Sequence, residues 1–211
     1  MKYRWVIFDF DGTLADSFPF FARTFNELAD AHGFRRLDAA EAGAMRELGA
    51  REIMREVGLP PWKLPRVARD FTARMQANAA AISLFGGIDS ALAHLSQCGI
   101  ALAIVSSNSQ STISRILGPA NMALIGELEC GMSIFGKSTR LRSLLRRVRV
   151  PPRQALYIGD QSVDLEAARD AGMAAGAVGW GYASMASLRA LDPDECFETV
   201  QDLHRLGDAQ T

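Results

Sequence analysis

The chain has 211 residues, 48% of them hydrophobic and 22% charged, with a formal net charge of −1. That length holds one sizeable core, or a core with a modest insertion, and a charge so near zero excludes a global field that recruits nucleic acid or an anionic membrane. Three widely spaced cysteines (Cys98, Cys130 and Cys196) without a Cys-x-x-Cys pair, and no apolar run of signal or membrane length, point to reduced thiols in a cytoplasmic protein.

Val6 to Phe8 is a short apolar run, as expected of a strand buried on both faces of a parallel sheet. It stops at Asp9-Phe10-Asp11-Gly12-Thr13, which puts polar groups just past the strand's carboxyl end, the edge where open α/β sheets bind ligands. From about Ser17 to Ala81 the pattern is helical: Phe18, Phe21, Phe25 and Leu28 recur at helical spacing, with Pro19 in the first turn and Gly33 as a stop. Asp38 and Glu41 have the spacing of a capping box, and Gly49 and Gly58 punctuate two short helices. After Pro60-Pro61 an amphipathic helix is predicted to about Ala80. No strand pattern interrupts this block, so an all-helical insertion is expected over 16–82, within a core made of 1–15 and 83–211.

Beyond it, Asp89 to Gln97 predicts a helix closed by Gly99, and Ile100 to Val105 a buried strand. A helix follows around Thr112 to Leu117, whereas Gly118 to Gly136 yields no clear helix or strand. Leu141, Leu144, Leu145 and Val148 form the apolar stripe of a helix that halts before Pro151-Pro152. Ala155 to Ile158 is a strand ending at Gly159-Asp160, followed by a helix to Ala171 and a strand around Ala175 to Val178. Repeated alternation of this kind predicts a doubly wound, Rossmann-like parallel sheet, an α/β core carrying a helical cap.

The strand ends carry Asp9 and Asp11, Ser106, and Asp160 with Asp164, while Lys137 precedes a helix. Parallel strands bring their carboxyl ends to one edge, so these distant residues are expected to converge. Three carboxylates suit magnesium, a hard cation that keeps waters and binds substrate phosphate. A hydroxyl and a lysine offer donors and positive charge to phosphate oxygens. Two carboxylates two residues apart can divide the work, one attacking phosphorus and the other giving a proton to the leaving oxygen. The Gly12-Thr13 turn lets the backbone approach metal and phosphate closely.

Asp9-Phe10-Asp11-Gly12-Thr13-Leu14-Ala15-Asp16-Ser17, Val105-Ser106-Ser107-Asn108, Gly136-Lys137 and Gly159-Asp160-Gln161-Ser162-Val163-Asp164 stand in this order along nearly the whole chain. In these motifs the sequence resembles the haloacid dehalogenase-like hydrolase superfamily, and within it the phosphoglycolate phosphatase-like group. Val178-Gly179-Trp180-Gly181-Tyr182 also resembles a late segment of that group. The resemblance implies Asp9 as nucleophile and Asp11 as general acid and base, with magnesium held by Asp9, the Asp11 backbone carbonyl and Asp160. It implies phosphate binding by Ser106, Ser107, Asn108, Lys137, Gly12 and Thr13, and support of Lys137 or the metal shell by Asp164. The helical block becomes a mobile cap, with Arg51 in a turn where related enzymes often contact substrate. Ser138 stands where the family often has proline. The implied reaction is hydrolysis of a small phosphorylated metabolite through an aspartyl phosphate. Asp11 favours phosphatase over dehalogenase chemistry, and the block's one lysine, Lys63, is poorly placed for the Schiff base of a phosphonatase.

Other readings stand beside this one. Gly131 to Ser138 satisfies the P-loop pattern, although Ile134 and Phe135 are bulky and no clear strand feeds it. A receiver-like domain shares the residue types but lacks the insertion, and a catalytically idle binding module keeps the fold alone. Arg140, Arg142, Arg146, Arg147 and Arg149 read as a solvated helix face, and His32, His94 and His204 show no ligand spacing. Phosphoglycolate, a sugar phosphate and a nucleotide stay open as substrates, as does the oligomeric state.

Overall fold

The computed structural model describes residues 2–38, 41, 50–131 and 136–208, without the side chains of residues 50 and 51. β1 (Trp5–Phe8) leads into a helical block of α1 (Phe18–His32), α2 (Ala50–Glu56) and α3 (Leu64–Ala77). Pro19 sits in the first turn of α1, where a missing N–H costs nothing, and Gly33 at φ 68° closes the helix by donating its N–H to the Ala29 carbonyl. Asp38 and Glu41 exchange the two bonds of a capping box, at 3.1 and 2.7 Å, as their spacing predicts. Gly49 lies outside the described residues. Phe25, Leu28, Leu37, Val57, Leu59 and Val67 bury one another in a cluster apart from the sheet.

The chain then alternates through α4 (Ile88–Gln97), β2 (Ala101–Val105), α5 (Gln110–Met122), β3 (Ile125–Glu129), α6 (Lys137–Val148), β4 (Ala155–Gly159), α7 (Ser162–Asp170), β5 (Ala174–Val178), α8 (Met185–Arg189) and β6 (Glu195–Phe197). Among the described residues six strands pair in parallel in the order β3-β2-β1-β4-β5-β6. This is the doubly wound sheet the alternation predicts, and the strand order reverses beside β1. Side chains alternate between faces, Val6, Phe8, Leu102, Ile104, Leu156 and Ile158 on one and Ile7, Ala103, Val105, Ala155 and Tyr157 on the other. The first face packs against α4 and α5, the second against α6, α7 and α8. Fully apolar strands are what a sheet covered on both faces requires.

Several elements differ from the sequence expectation, among them the short α8, which no reading beyond Val178 foresaw. The helix expected over Thr112 to Leu117 runs from Gln110 to Met122, continuing across a kink at Gly118 and Pro119. β3 occupies the stretch that offered no pattern, because its residues are only partly buried and Gly126, Glu127 and Glu129 break the apolar run. β6 is three residues long, too short to leave a periodic signal. The basic run on α6 is also more than a solvated face. Arg140 pairs with Glu129 at 3.3 Å, and Arg147 reaches Glu127 at 2.8 Å and Glu129 at 2.7 Å. Those charges sit along the outermost strand, where they discourage pairing with another sheet.

The two passages between sheet and helical block run side by side. Ala15 bridges antiparallel to Leu84, the Asp16 N–H donates to the Ser83 carbonyl at 2.9 Å, and the Phe85 N–H donates to that of Leu14 at 3.0 Å. A few residues before the return passage, the end of α3 meets the start of α5. Gln76 Nε2 donates to Ser111 Oγ at 3.1 Å, and Met75 Sδ lies 3.2 Å from Asn108 Nδ2. The helical block thus stands over the carboxyl edge of the sheet.

Candidate active site

Asp9 follows the last residue of β1 and Asp160 the last of β4, the two strands that flank the reversal. Asp164 lies on the first turn of α7 and Lys137 begins α6. Lys137 Nζ stands 3.0 Å from Asp9 Oδ1 and 2.5 Å from Asp164 Oδ1, tying three distant segments together. Carboxylate oxygens of Asp9, Asp160 and Asp164 all lie within 4.8 Å of one another, the one such cluster among the described residues. Ser138 follows the lysine, whose side chain meets Asp9 and Asp164 all the same.

The glycines here are dictated by contact. A Cβ on Gly12, at φ 80°, would come within 2.1 Å of Asp160 Oδ2, and one on Gly181 within 2.2 Å of Asp160 Cβ. Both loops press onto Asp160, whose oxygens accept from Thr13 Oγ1 at 3.2 Å and the Tyr182 N–H at 2.8 Å. No larger residue permits that approach.

Burial sets the electrostatics. It pushes the Asp9 carboxyl up to about 7, although Lys137 pulls it back, and it raises Asp160 well above the usual carboxylate range, with Asp164 and Asp9 adding to the effect. Burial also raises Asp11, against hydrogen bonds from Ser17 and Asn108 that favour its charged form. For Lys137 burial acts downward, but the charges of Asp164 and Asp9 outweigh it and hold the ammonium charged. Four carboxylates therefore share one buried lysine, in a place where unpaired charge is costly. An all-oxygen donor set short of positive charge fits a hard divalent cation.

Ser106 follows the last residue of β2 and is buried, its Oγ accepting the Asn108 N–H at 3.1 Å, while Ser107 is half-buried. Asn108 Nδ2 donates to Asp11 Oδ2 at 3.1 Å, so the second motif touches the first. Sequence reasoning assigned no role to Ser17, Tyr157, Trp180 or Tyr182, although three of them stand inside quoted motifs. Tyr157 Oη donates to the Val105 carbonyl at 3.2 Å and lies 3.4 Å from Asp164 Oδ1. Trp180 Nε1 donates to the Thr13 carbonyl at 2.9 Å. The side chain of Arg51 lies outside the described residues, as does 132–135 of the P-loop pattern. A strand, β3, does lead toward Gly131, contrary to expectation, yet Lys137 is engaged by Asp9 and Asp164.

The chain matches the haloacid dehalogenase-like hydrolase family over residues 6–178, from β1 to the end of β5. It is 35% identical to phosphoglycolate phosphatase of Synechococcus elongatus over 199 residues, which cover 94% of each chain. Its fold superposes with a TM-score of 0.84 on a putative phosphoglycolate phosphatase of Lactobacillus plantarum, at 24% identity over 98% of this chain and all of that one. CbbY of Rhodobacter sphaeroides, solved in complex with phosphate, matches at a TM-score of 0.75 and 25% identity, with 95% of this chain and 96% of that one covered. The chain belongs to the haloacid dehalogenase-like hydrolases. Within them it is a phosphatase of the phosphoglycolate phosphatase-like group.

Proposed function

We propose that the protein hydrolyses a small phosphomonoester, with phosphoglycolate the first candidate, by way of a phosphoryl group carried on Asp9. The observation that carries this reading is the buried cluster at the sheet's carboxyl edge, where Asp9 lies against Lys137 beside Asp160, Asp164 and Asp11. The relative named phosphoglycolate phosphatase, similar along nearly its full length, supports the substrate class.

In the first step an Asp9 oxygen attacks phosphorus and the ester P–O bond breaks, while Asp11 gives its proton to the departing oxygen. In the second, Asp11 takes a proton from water as that water attacks phosphorus, and the bond to Asp9 breaks to release inorganic phosphate. Lys137 favours the charged form of Asp9 and, with Ser106, Ser107, Asn108 and the Gly12-Thr13 turn, binds the transferring group. Asp9, the Asp11 backbone carbonyl and Asp160 would hold magnesium, which when bound neutralises phosphate charge. Asp164 keeps Lys137 in place. Residues 16–82 act as a cap that excludes water from the closed site. The working place is the cytoplasm, and neither nucleic acid nor membrane takes part; no helix among the described residues is long and apolar enough to cross a membrane.

Asp9→Asn tests the reading. Magnesium-dependent phosphate release from phosphoglycolate should vanish in this variant, and retained turnover would overturn the nucleophile. A panel of phosphorylated metabolites assayed with the unaltered chain ranks the substrates.

A further inference from the structure

The arginines of α6 fall into two sets. Arg140 and Arg147 pair with Glu127 and Glu129 on the edge strand. Arg142, Arg146 and Arg149 follow one another at intervals of four and three, so they lie along one line of the helix. Among the described residues none of these three pairs with a carboxylate; Arg142 donates to the Asp170 carbonyl at 2.7 Å. A helix C-terminus favours positive charge, but like charges at this spacing repel one another.

Arg149 departs from a second local rule. It closes α6 in the left-handed conformation, at φ 55° and ψ 44°, where glycine is the ordinary choice. The three arginines border a cavity of about 530 Å³ whose apolar lining includes Leu145, Val150 and Pro152. That volume falls in the range of small-molecule sites. The cavity lies at the far end of α6 from Lys137, about 18 Å along the helix axis, where the chain turns into the amino end of β4.

Unpaired positive charge around an apolar hollow suits an anion that carries an apolar body. A guanidinium holds phosphate through paired N–H donors and stacks on flat rings. We propose that this cavity binds a small organic polyanion, a phosphate-bearing head on an apolar ring, with a nucleoside diphosphate as its representative. The phosphates meet Arg142, Arg146 and Arg149, and the ring lies against Leu145, Val150 and Pro152. The site is separate from the carboxylate cluster and needs neither its cation nor its chemistry.

Calorimetric titration in chelator tests this, with ADP, pyrophosphate and adenosine as probes. ADP should bind once per chain with a Kd below about 1 mM, and the other two at least about tenfold more weakly, since each has only half of the recognised features. Arg149→Gly relieves the left-handed strain, so its Tm should equal or exceed that of the unaltered chain while ADP binds about tenfold more weakly. Arg146→Gln should weaken ADP as much. Arg140→Gln removes an equal charge from the paired set and should change the Kd by less than about twofold. Asp9→Asn should also leave it within about twofold, whereas a tighter Kd would place the nucleotide in the acidic cluster and overturn the proposal. No saturable binding, equal affinity for ADP and pyrophosphate or for ADP and adenosine, an unchanged Kd in Arg149→Gly or Arg146→Gln, or equal weakening in Arg140→Gln also overturns it. Tighter binding of a hexaglutamate peptide than of ADP does so too, by making this surface a dock for an acidic protein segment.

Discussion

Asp9 is a carboxylate that the fold makes costly to ionise. Because its native pKa stands near 7 against an ordinary value of about 3.9, the native state holds its proton more tightly than the unfolded chain does. Stability without a divalent cation therefore falls as pH rises from about 4 to about 7, and the raised Asp11 and Asp160 act in the same direction. Thermal unfolding in chelator across that range should give a falling Tm, and a flat profile would contradict the buried cluster. Lys137→Ala strands Asp9 and Asp164 without their ammonium, a change expected to cost about 3–5 kcal/mol in denaturant titrations at neutral pH. Gly12→Ala forces a methyl group against Asp160 at a left-handed φ; a loss of about 2–4 kcal/mol is expected, together with weakened cation binding by calorimetry. At this scale the sequence named Asp9, Asp11, Asp160 and Lys137 through their motifs. Tyr182 and Ser17 stayed without a role because their meeting depends on a contact across 165 positions.

At the scale of elements, the helical block keeps its own apolar cluster while its base, through Phe20 and Met75, joins the cluster on the sheet. Phe25→Ala opens a cavity in the separate cluster and is expected to cost about 3–5 kcal/mol there. Hydrogen exchange should then quicken in α1 and α3 while amides of β1, β2 and β4 keep their protection. Uniform loss of protection would mean that block and sheet open as one unit. The capping box at Asp38 and Glu41 was legible because it is a bond between near neighbours. β3 was not, since an edge strand carries glycine and charge whose partners lie on α6, and only the folded sheet brings Arg140 and Arg147 to it.

For the whole molecule, a ligand that binds only the native state raises stability by mass action, about 2.7 kcal/mol at a hundred times its Kd. Magnesium should therefore raise Tm at neutral pH, and Asp160→Asn should remove most of that rise while the protein stays folded. An equal rise in the variant would place the cation elsewhere. The strand order concentrates this effect at one edge: β1 and β4 lie adjacent where the order reverses, and Asp9 and Asp160 follow their last residues within one carboxylate cluster.

The sequence by itself determined the alternation of buried strands and helices and the motifs that mark the family, because apolar periodicity and turn chemistry are local properties of the chain. It also placed the first aspartate at a strand end. The tertiary structure decided that Lys137 stands between Asp9 and Asp164, that β3 closes one edge of the sheet, and that the Ser17 hydroxyl meets Tyr182. Each of these joins segments far apart in the chain. The burial and charge balance that fix them exist only once the sheet has brought those segments into contact.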